Sequence, residues 1–242
     1  MSEVIRYEDY LRELKSACKK SNYSFSVIDS VGGSRKIPFV MVRSKKWSVS
    51  KKTVCFSAGI HGNEIAASYA VLRAIEKDVF GKFKDIQVLI FPVANPTGFG
   101  IGRENFENYN LNRHFGSKRG RLENLLIEAT ILKARPFFIH TMHEDADEKK
   151  FYLYGFDKNR DKIYRKILNI FARKYPILKA RKIYDEKADR GIIYDAHDGS
   201  LESWAHKNGA GLSMCSEVPG RLSWDERVLF HVRVMEEVLK SC

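Results

Sequence analysis

Apolar residues recur along this chain in two alternating rhythms. Between Tyr7 and Lys20 they fall at Tyr7, Tyr10, Leu11, Leu14 and Cys18, a spacing that gathers them on one face of a helix. The rhythm then changes. Residues 24–31 and 36–42 flank Gly32 and Gly33, which predicts two strands joined by a glycine turn. Residues 53–60 form an apolar, β-branched run suited to a buried strand, and residues 66–74 return to helical spacing. Residues 87–93 and 136–142 read as further buried strands, and residues 122–133, 158–175 and 224–239 as helices. Strands alternating with helices predict an α/β fold, with a mixed, mainly parallel central sheet covered on both faces.

Sheets of this kind bind ligands beyond the carboxyl ends of their strands. Three polar clusters fall at such ends: His61, Gly62, Asn63 and Glu64; Asn95, Pro96, Thr97 and Gly98; and His143, Glu144 and Asp145. His61 and Glu64, three residues apart at a helix start, can converge on one ion, and Gly62 permits a tight turn there. Zinc accepts imidazole and carboxylate together, and catalytic zinc sites use three protein ligands with a fourth position open. A lone His-x-x-Glu is equally the pattern of a surface histidine and a carboxylate at a helix start. The strand ending at His143 offers two further histidines. His140 and His143 point to opposite faces, so only one can serve, and His143 lies nearer the cleft; His140 reads as a hydrogen-bonded core histidine.

Charge and cysteine usage narrow the setting. The formal net charge is +12 over 242 residues, but the Lys and Arg pairs are scattered and lack interleaved aromatic residues. A basic surface that favours anionic substrates is expected, with no specific nucleic-acid partner. No apolar run approaches about 18 residues and no signal-like start precedes residue 21, so no membrane partner is expected. Cys18, Cys55, Cys215 and Cys242 lack metal-knot spacing, which predicts reduced thiols and a cytoplasmic location, with Cys55 and Cys215 buried in strands. One catalytic domain over residues 1–242 is expected, with a helix and hairpin over about residues 1–45 packed on it. Oligomeric state is left open.

The order of these motifs resembles the zinc metallocarboxypeptidases, especially their short prokaryotic members. The resemblance runs from Val54 to Gly220: a strand and His-x-x-Glu, Asn-Pro-x-Gly, Arg103, Asn112 with Arg113, a strand ending in His143, and a late Glu217. It implies a three-layer α/β/α sandwich and one zinc ion held by His61, Glu64 and His143. Glu217 would be the general base. Arg103 would polarise the scissile carbonyl, and Arg113 with Asn112 would bind a substrate carboxylate. Tyr194 resembles the family's mobile tyrosine. Residues 199–204 resemble its specificity loop, with Leu201 lining the side-chain pocket and no support for a basic-residue preference. One departure is Asn110, where the family keeps an Asp that orients a zinc-ligating histidine.

The resemblance implies hydrolysis of a peptide or small amide next to a free carboxylate. The segment from Gly59 to Glu64 also resembles succinylglutamate desuccinylase and aspartoacylase, which implies an acyl-amino-acid deacylase as the alternative. A non-catalytic carboxylate-binding protein is the third reading, supported by Asn110.

Overall fold

A computed structural model of the protein describes residues 6–184 and 186–242. Helix α1 (Tyr7–Lys20) carries Glu8 and Asp9 in its first turn and Lys19 and Lys20 in its last, which complements the helix dipole. It buries Tyr7, Tyr10, Leu14, Ala17 and Cys18. The Tyr10 hydroxyl donates to the Ser68 carbonyl at 2.9 Å, which ties α1 to α2 (Ile65–Glu76). Strands β1 (Tyr23–Val31) and β2 (Ile37–Ser44) form the expected antiparallel hairpin. Residues 1–5 of the amino-terminal segment lie outside the described residues.

The remaining strands are β3 (Lys52–Ala58), β4 (Ile86–Phe91), β5 (Phe138–Asp145), β6 (Tyr152–Gly155), β7 (Lys182–Ile183), β8 (Glu186–Asp189), β9 (Ile192–Tyr194) and β10 (Leu212–Pro219). The sheet order is β1-β2-β4-β3-β5-β10-β6-β9-β8-β7. Its centre, β4-β3-β5-β10, is parallel, and β2 and β6 flank it antiparallel. The mixed α/β sheet of the sequence reading is therefore present.

Alternation along the strands sorts side chains into two apolar layers. Val54, Phe56, Phe138, Met142 and Met214 pack with α1, α2, α4 (Asp161–Ala172) and α6 (Trp224–Leu239). Cys55, Leu89 and Ile139 pack on the other face with α3 (Leu122–Ala134) and α5 (Leu201–Lys207). The helix expected over residues 158–175 is α4, preceded by a 3-10 turn at Lys158–Arg160. Cys55 and Cys215 are buried on strands, and the four thiols are free. No described helix is long and apolar enough to cross a membrane.

Candidate metal centre and cleft

Strand β3 ends at Ala58 and the chain turns through Gly59, at φ 61°, into His61 and then α2. Asn95, fully buried, secures this turn. Its backbone N–H donates to the Gly59 carbonyl at 2.9 Å, and its side-chain oxygen accepts from Gly98 N–H at 3.0 Å. Gly62 lies against the same segment: a Cβ there would fall far inside contact distance of the Gly98 carbonyl. Gly62 thus serves a close approach of two backbones.

His61, Glu64 and His143 are all buried, and their ligand atoms lie within 4.8 Å of one another. His61 Nδ1 is 2.6 Å from Glu64 Oε1, and His143 Nδ1 is 2.9 Å from Glu64 Oε2. The two Nδ1 atoms are 3.2 Å apart. In a tetrahedral zinc site with Zn–N near 2.0–2.1 Å, adjacent ligand atoms lie about 3.3–3.4 Å apart. Two facing ring nitrogens can share only one proton, whereas a cation between them satisfies both. The donor set fits zinc in identity and number, and the two ring nitrogens, at 3.2 Å, stand close to the separation such a site requires.

The electrostatics agree. Burial disfavours a charged His143, but the charge and hydrogen bond of Glu64 outweigh it and raise the imidazole pKa to about 9. Burial likewise opposes ionisation of Glu64, and the two histidines outweigh it, holding the carboxyl well below its usual range. The backbone N–H of Glu144 also reaches Glu64 Oε2, at 3.3 Å. His61 Nε2 is buried with no hydrogen-bond partner. Asn110 does not supply one, because its side-chain oxygen accepts from Asn112 N–H at 3.0 Å and caps the 3-10 turn at Leu111–Arg113.

Around this cluster lies a narrow cleft of about 40 Å³ lined by Arg103, Arg113, Tyr154, Asp198, Glu202 and Glu217, among others. Glu217 on β10 stands in register with His143 on β5. Burial pushes its carboxyl up to about 8; His143 pulls it back, and Glu64, Asp145 and Glu202 add to the rise. Arg103 Nη1 is 3.3 Å from Glu64 Oε1. Asn112 is buried, its oxygen accepting from Leu201 N–H at 3.0 Å while its Nδ2 lies 3.4 Å from His143 Nε2. Arg113 pairs with Asp198 at 3.0 Å.

Two residues singled out in the sequence are not brought to the cleft. The Tyr194 hydroxyl bonds Asp161 on α4, and its ring packs beside Tyr164; the phenol that borders the cleft is Tyr154. Leu201 is buried in the apolar layer with Trp204 and Ile131. The cleft receives the next residue, Glu202, whose carboxylate accepts from the Thr141 hydroxyl at 3.0 Å. Ser200 caps α5, so residues 201 and 202 stand about 100° apart on a helix. Once the helix start is known, Leu201 to the core and Glu202 to the cleft follow. His140 is buried on the opposite face from His143, its Nε2 2.8 Å from Ser216 Oγ.

Residues 50–146 match the family model of the succinylglutamate desuccinylase/aspartoacylase catalytic domain. Solved structures match nearly the whole chain. A candidate metallopeptidase of Shewanella baltica OS155 is 24% identical, with a TM-score of 0.86, over 97% of this chain and 92% of that one. The chain has a carboxypeptidase-like fold, and its residues 50–146 are similar to the desuccinylase/aspartoacylase catalytic domain. Other structures of this fold are larger. The metallo-carboxypeptidase of Burkholderia cenocepacia is 17% identical, with a TM-score of 0.77, over 97% of this chain and 68% of that one. That of Pseudomonas aeruginosa, in complex with (2-guanidinoethylmercapto)succinic acid, is 14% identical, with a TM-score of 0.78, over 96% and 68%. No curated protein matches the sequence. Within the carboxypeptidase-like fold, the three candidate ligands come from the β3–α2 turn and the end of β5.

Proposed function

We propose that this protein is a zinc-dependent hydrolase that cleaves an amide bond next to a free carboxylate, with His61, Glu64 and His143 holding one zinc ion. The observation that carries the reading is the convergence of these three buried side chains in a cleft shared with Glu217, Arg103 and Arg113. Bound zinc would supply a Lewis acid for the scissile carbonyl and acidify water. Glu217 takes a proton from the attacking water and delivers it to the leaving nitrogen, a role suited to a carboxyl whose pKa lies near neutrality. Arg103 donates to the carbonyl oxygen as negative charge develops there. Arg113, oriented by its own hydrogen bond to the Asn112 carbonyl at 2.8 Å, receives the substrate's carboxylate.

The cleft also refines the substrate. Asp198 already pairs with Arg113, and Glu202 adds a second acidic group, so a substrate bearing only a carboxylate leaves negative charge uncompensated. A substrate with a cationic group near its carboxylate meets both. The Pseudomonas aeruginosa ligand combines a guanidino group with succinic acid, which supports this preference.

The match over residues 50–146 favours a second reading, deacylation of an N-acyl amino acid. One set of experiments tests both. Zinc per chain is measured by elemental analysis for wild type, His61→Ala and His143→Ala; near one zinc in wild type and clear loss in both variants is expected. Peptides and N-acyl amino acids with free or blocked carboxylates then separate peptidase from deacylase. A wild type that stays metal-free after zinc is supplied, yet binds carboxylates, sinks the hydrolase and leaves a binding protein.

A further inference from the structure

Helix α3 is apolar on both sides. Ile127 and Ile131 face the core, while Leu122, Leu125 and Leu132 are 42%, 51% and 49% exposed. With exposed Ala129, these outer residues fall at i, i+3, i+7 and i+10, one narrow stripe about 15 Å long. An exposed leucine stripe on a helix whose other side is already buried marks a surface with an apolar partner. At the carboxyl end of α3, Lys133, Ala134 and Arg135 line a surface depression together with Trp47, Val49 and Lys51. Val49 is fully exposed at the tip of a loop whose sequence, residues 45–52, places Trp47 and Val49 between two lysine pairs.

The charge around these apolar groups is mainly basic; the acidic exception on the stripe's flank is half-buried Glu128, whose carboxylate accepts from Gly116 N–H at 2.7 Å. Lys46, Lys133 and Arg135 are exposed, and Lys51 is half-buried. Among the described residues no Asp or Glu side chain forms an ion pair with any of the four. Exposed Lys118 and Arg119 stand beyond the other end of the stripe. We propose that α3 and the 45–52 loop form a docking surface for an anionic lipid bilayer, with Leu125, Leu132 and Val49 entering the headgroup region and the surrounding Lys and Arg meeting lipid phosphates and carboxylates. Peripheral attachment of this kind combines a shallow apolar insertion with electrostatic attraction, and each alone is weak.

Charge decides between occupants. A two-fold contact between copies through this stripe sets Lys118 and Arg119 of one against Lys133 and Arg135 of the other, like charges at both ends. Single-stranded nucleic acid binds through aromatic platforms, whereas here the apolar groups are aliphatic and the ring of Trp47 is covered by Arg43 at 5.7 Å.

The test is co-sedimentation of the full chain with phosphatidylcholine vesicles, with and without phosphatidylserine, at two salt concentrations. Binding to the anionic vesicles, weakened by salt, is expected. Each cation lost lowers the partition coefficient about fivefold, so Lys133→Ala with Arg135→Ala lowers it about 25-fold. Val49→Ser with Leu132→Ser, which touches no charge, lowers it about tenfold or more. Circular dichroism verifies that each pair of substitutions leaves the fold intact. Absence of binding to anionic vesicles overturns the proposal. So does binding that survives the Val49 and Leu132 changes and is competed by a DNA oligonucleotide, which marks a nucleic-acid surface. A dimer in sedimentation velocity that Leu125→Glu dissociates, without vesicle binding, overturns it in favour of a second copy. None of these outcomes depends on whether the cleft hydrolyses amides.

Discussion

Glu217 and His143 face each other across adjacent strands, yet only one of them is a candidate ligand. Glu217→Gln keeps the shape of the side chain and removes its capacity to take a proton. Hydrolysis is expected to fall by about 100-fold or more while zinc content stays near wild type; parallel loss of metal would instead make Glu217 part of the metal centre. His231, which does not line the cleft, allows a second test. It is fully buried on α6 with neither ring nitrogen hydrogen-bonded, and burial pushes its pKa down to about 3, with Glu64 opposing and His143 and Arg227 adding to the fall. The unfolded chain takes up this proton near pH 6.5, and the folded protein does so only near 3. Stability from neutral His231 is therefore complete above about pH 6.5 and is lost as pH falls, at about 1.4 kcal/mol per unit. Urea unfolding of His231→Leu should show a loss between pH 6.5 and 4.5 that is about 2–3 kcal/mol smaller than wild type. An unchanged pH slope would mean that His231 is charged or hydrated when folded. His61, Glu64 and His143 are legible as candidates through the order of motifs and the family resemblance that order carries, since His-x-x-Glu alone is weak, whereas Glu202 stays hidden because one step along a helix decides which neighbour faces the cleft.

At the scale of elements, the cleft is held by turns more than by helices. The β3–α2 turn is secured by Asn95 and by the fit of Gly62 beneath the Gly98 carbonyl, while the Gly62 N–H donates to the Arg103 carbonyl at 3.1 Å. Gly62→Ala must push these backbones apart and shift His61 relative to His143. Zinc affinity, measured against a competing chromophoric chelator, is expected to fall about tenfold or more. Unchanged affinity would show that the turn moves independently of the ligands. Elements with long periods were readable: α1 and α6 have the bounds that apolar spacing predicts, and α6 begins with a reciprocal Ser223–Glu226 capping box. Strands β6 to β9 were not, because two to four residues are too few to show alternation and their pairing depends on distant partners. Helix α5, seven residues long, was read as a loop for the same reason.

Across the whole molecule, the continuity of the sheet decides how the chain unfolds. Strand β2 pairs directly with β4, and Tyr10, Leu14, Val40 and Val42 share one apolar layer with Phe56, Phe138 and Met214. We propose on this basis that the amino-terminal helix and hairpin fold with the cleft residues as one unit. The three tryptophans sample different places: Trp47 in the basic loop, Trp204 against Phe115 beside α3 and Trp224 against Tyr69 on α2. Fluorescence and far-ultraviolet circular dichroism should therefore give coincident thermal transitions, and two separated transitions would mean that the segments fold apart. Zinc adds a directional check on the same measurement. A ligand that binds only the folded state, at 100 times its Kd, stabilises by about 2.7 kcal/mol, which for a chain of this size raises Tm by about 5–10 °C. Because His61 and Glu64 stand at the β3–α2 turn and His143 at the end of β5, the ion would join segments some 80 residues apart in the centre of the sheet. Its effect should move the single transition as a whole. A shift confined to one probe would place the metal on a locally unfolding segment, and an unchanged Tm in His61→Ala would assign the wild-type shift to the three-ligand site.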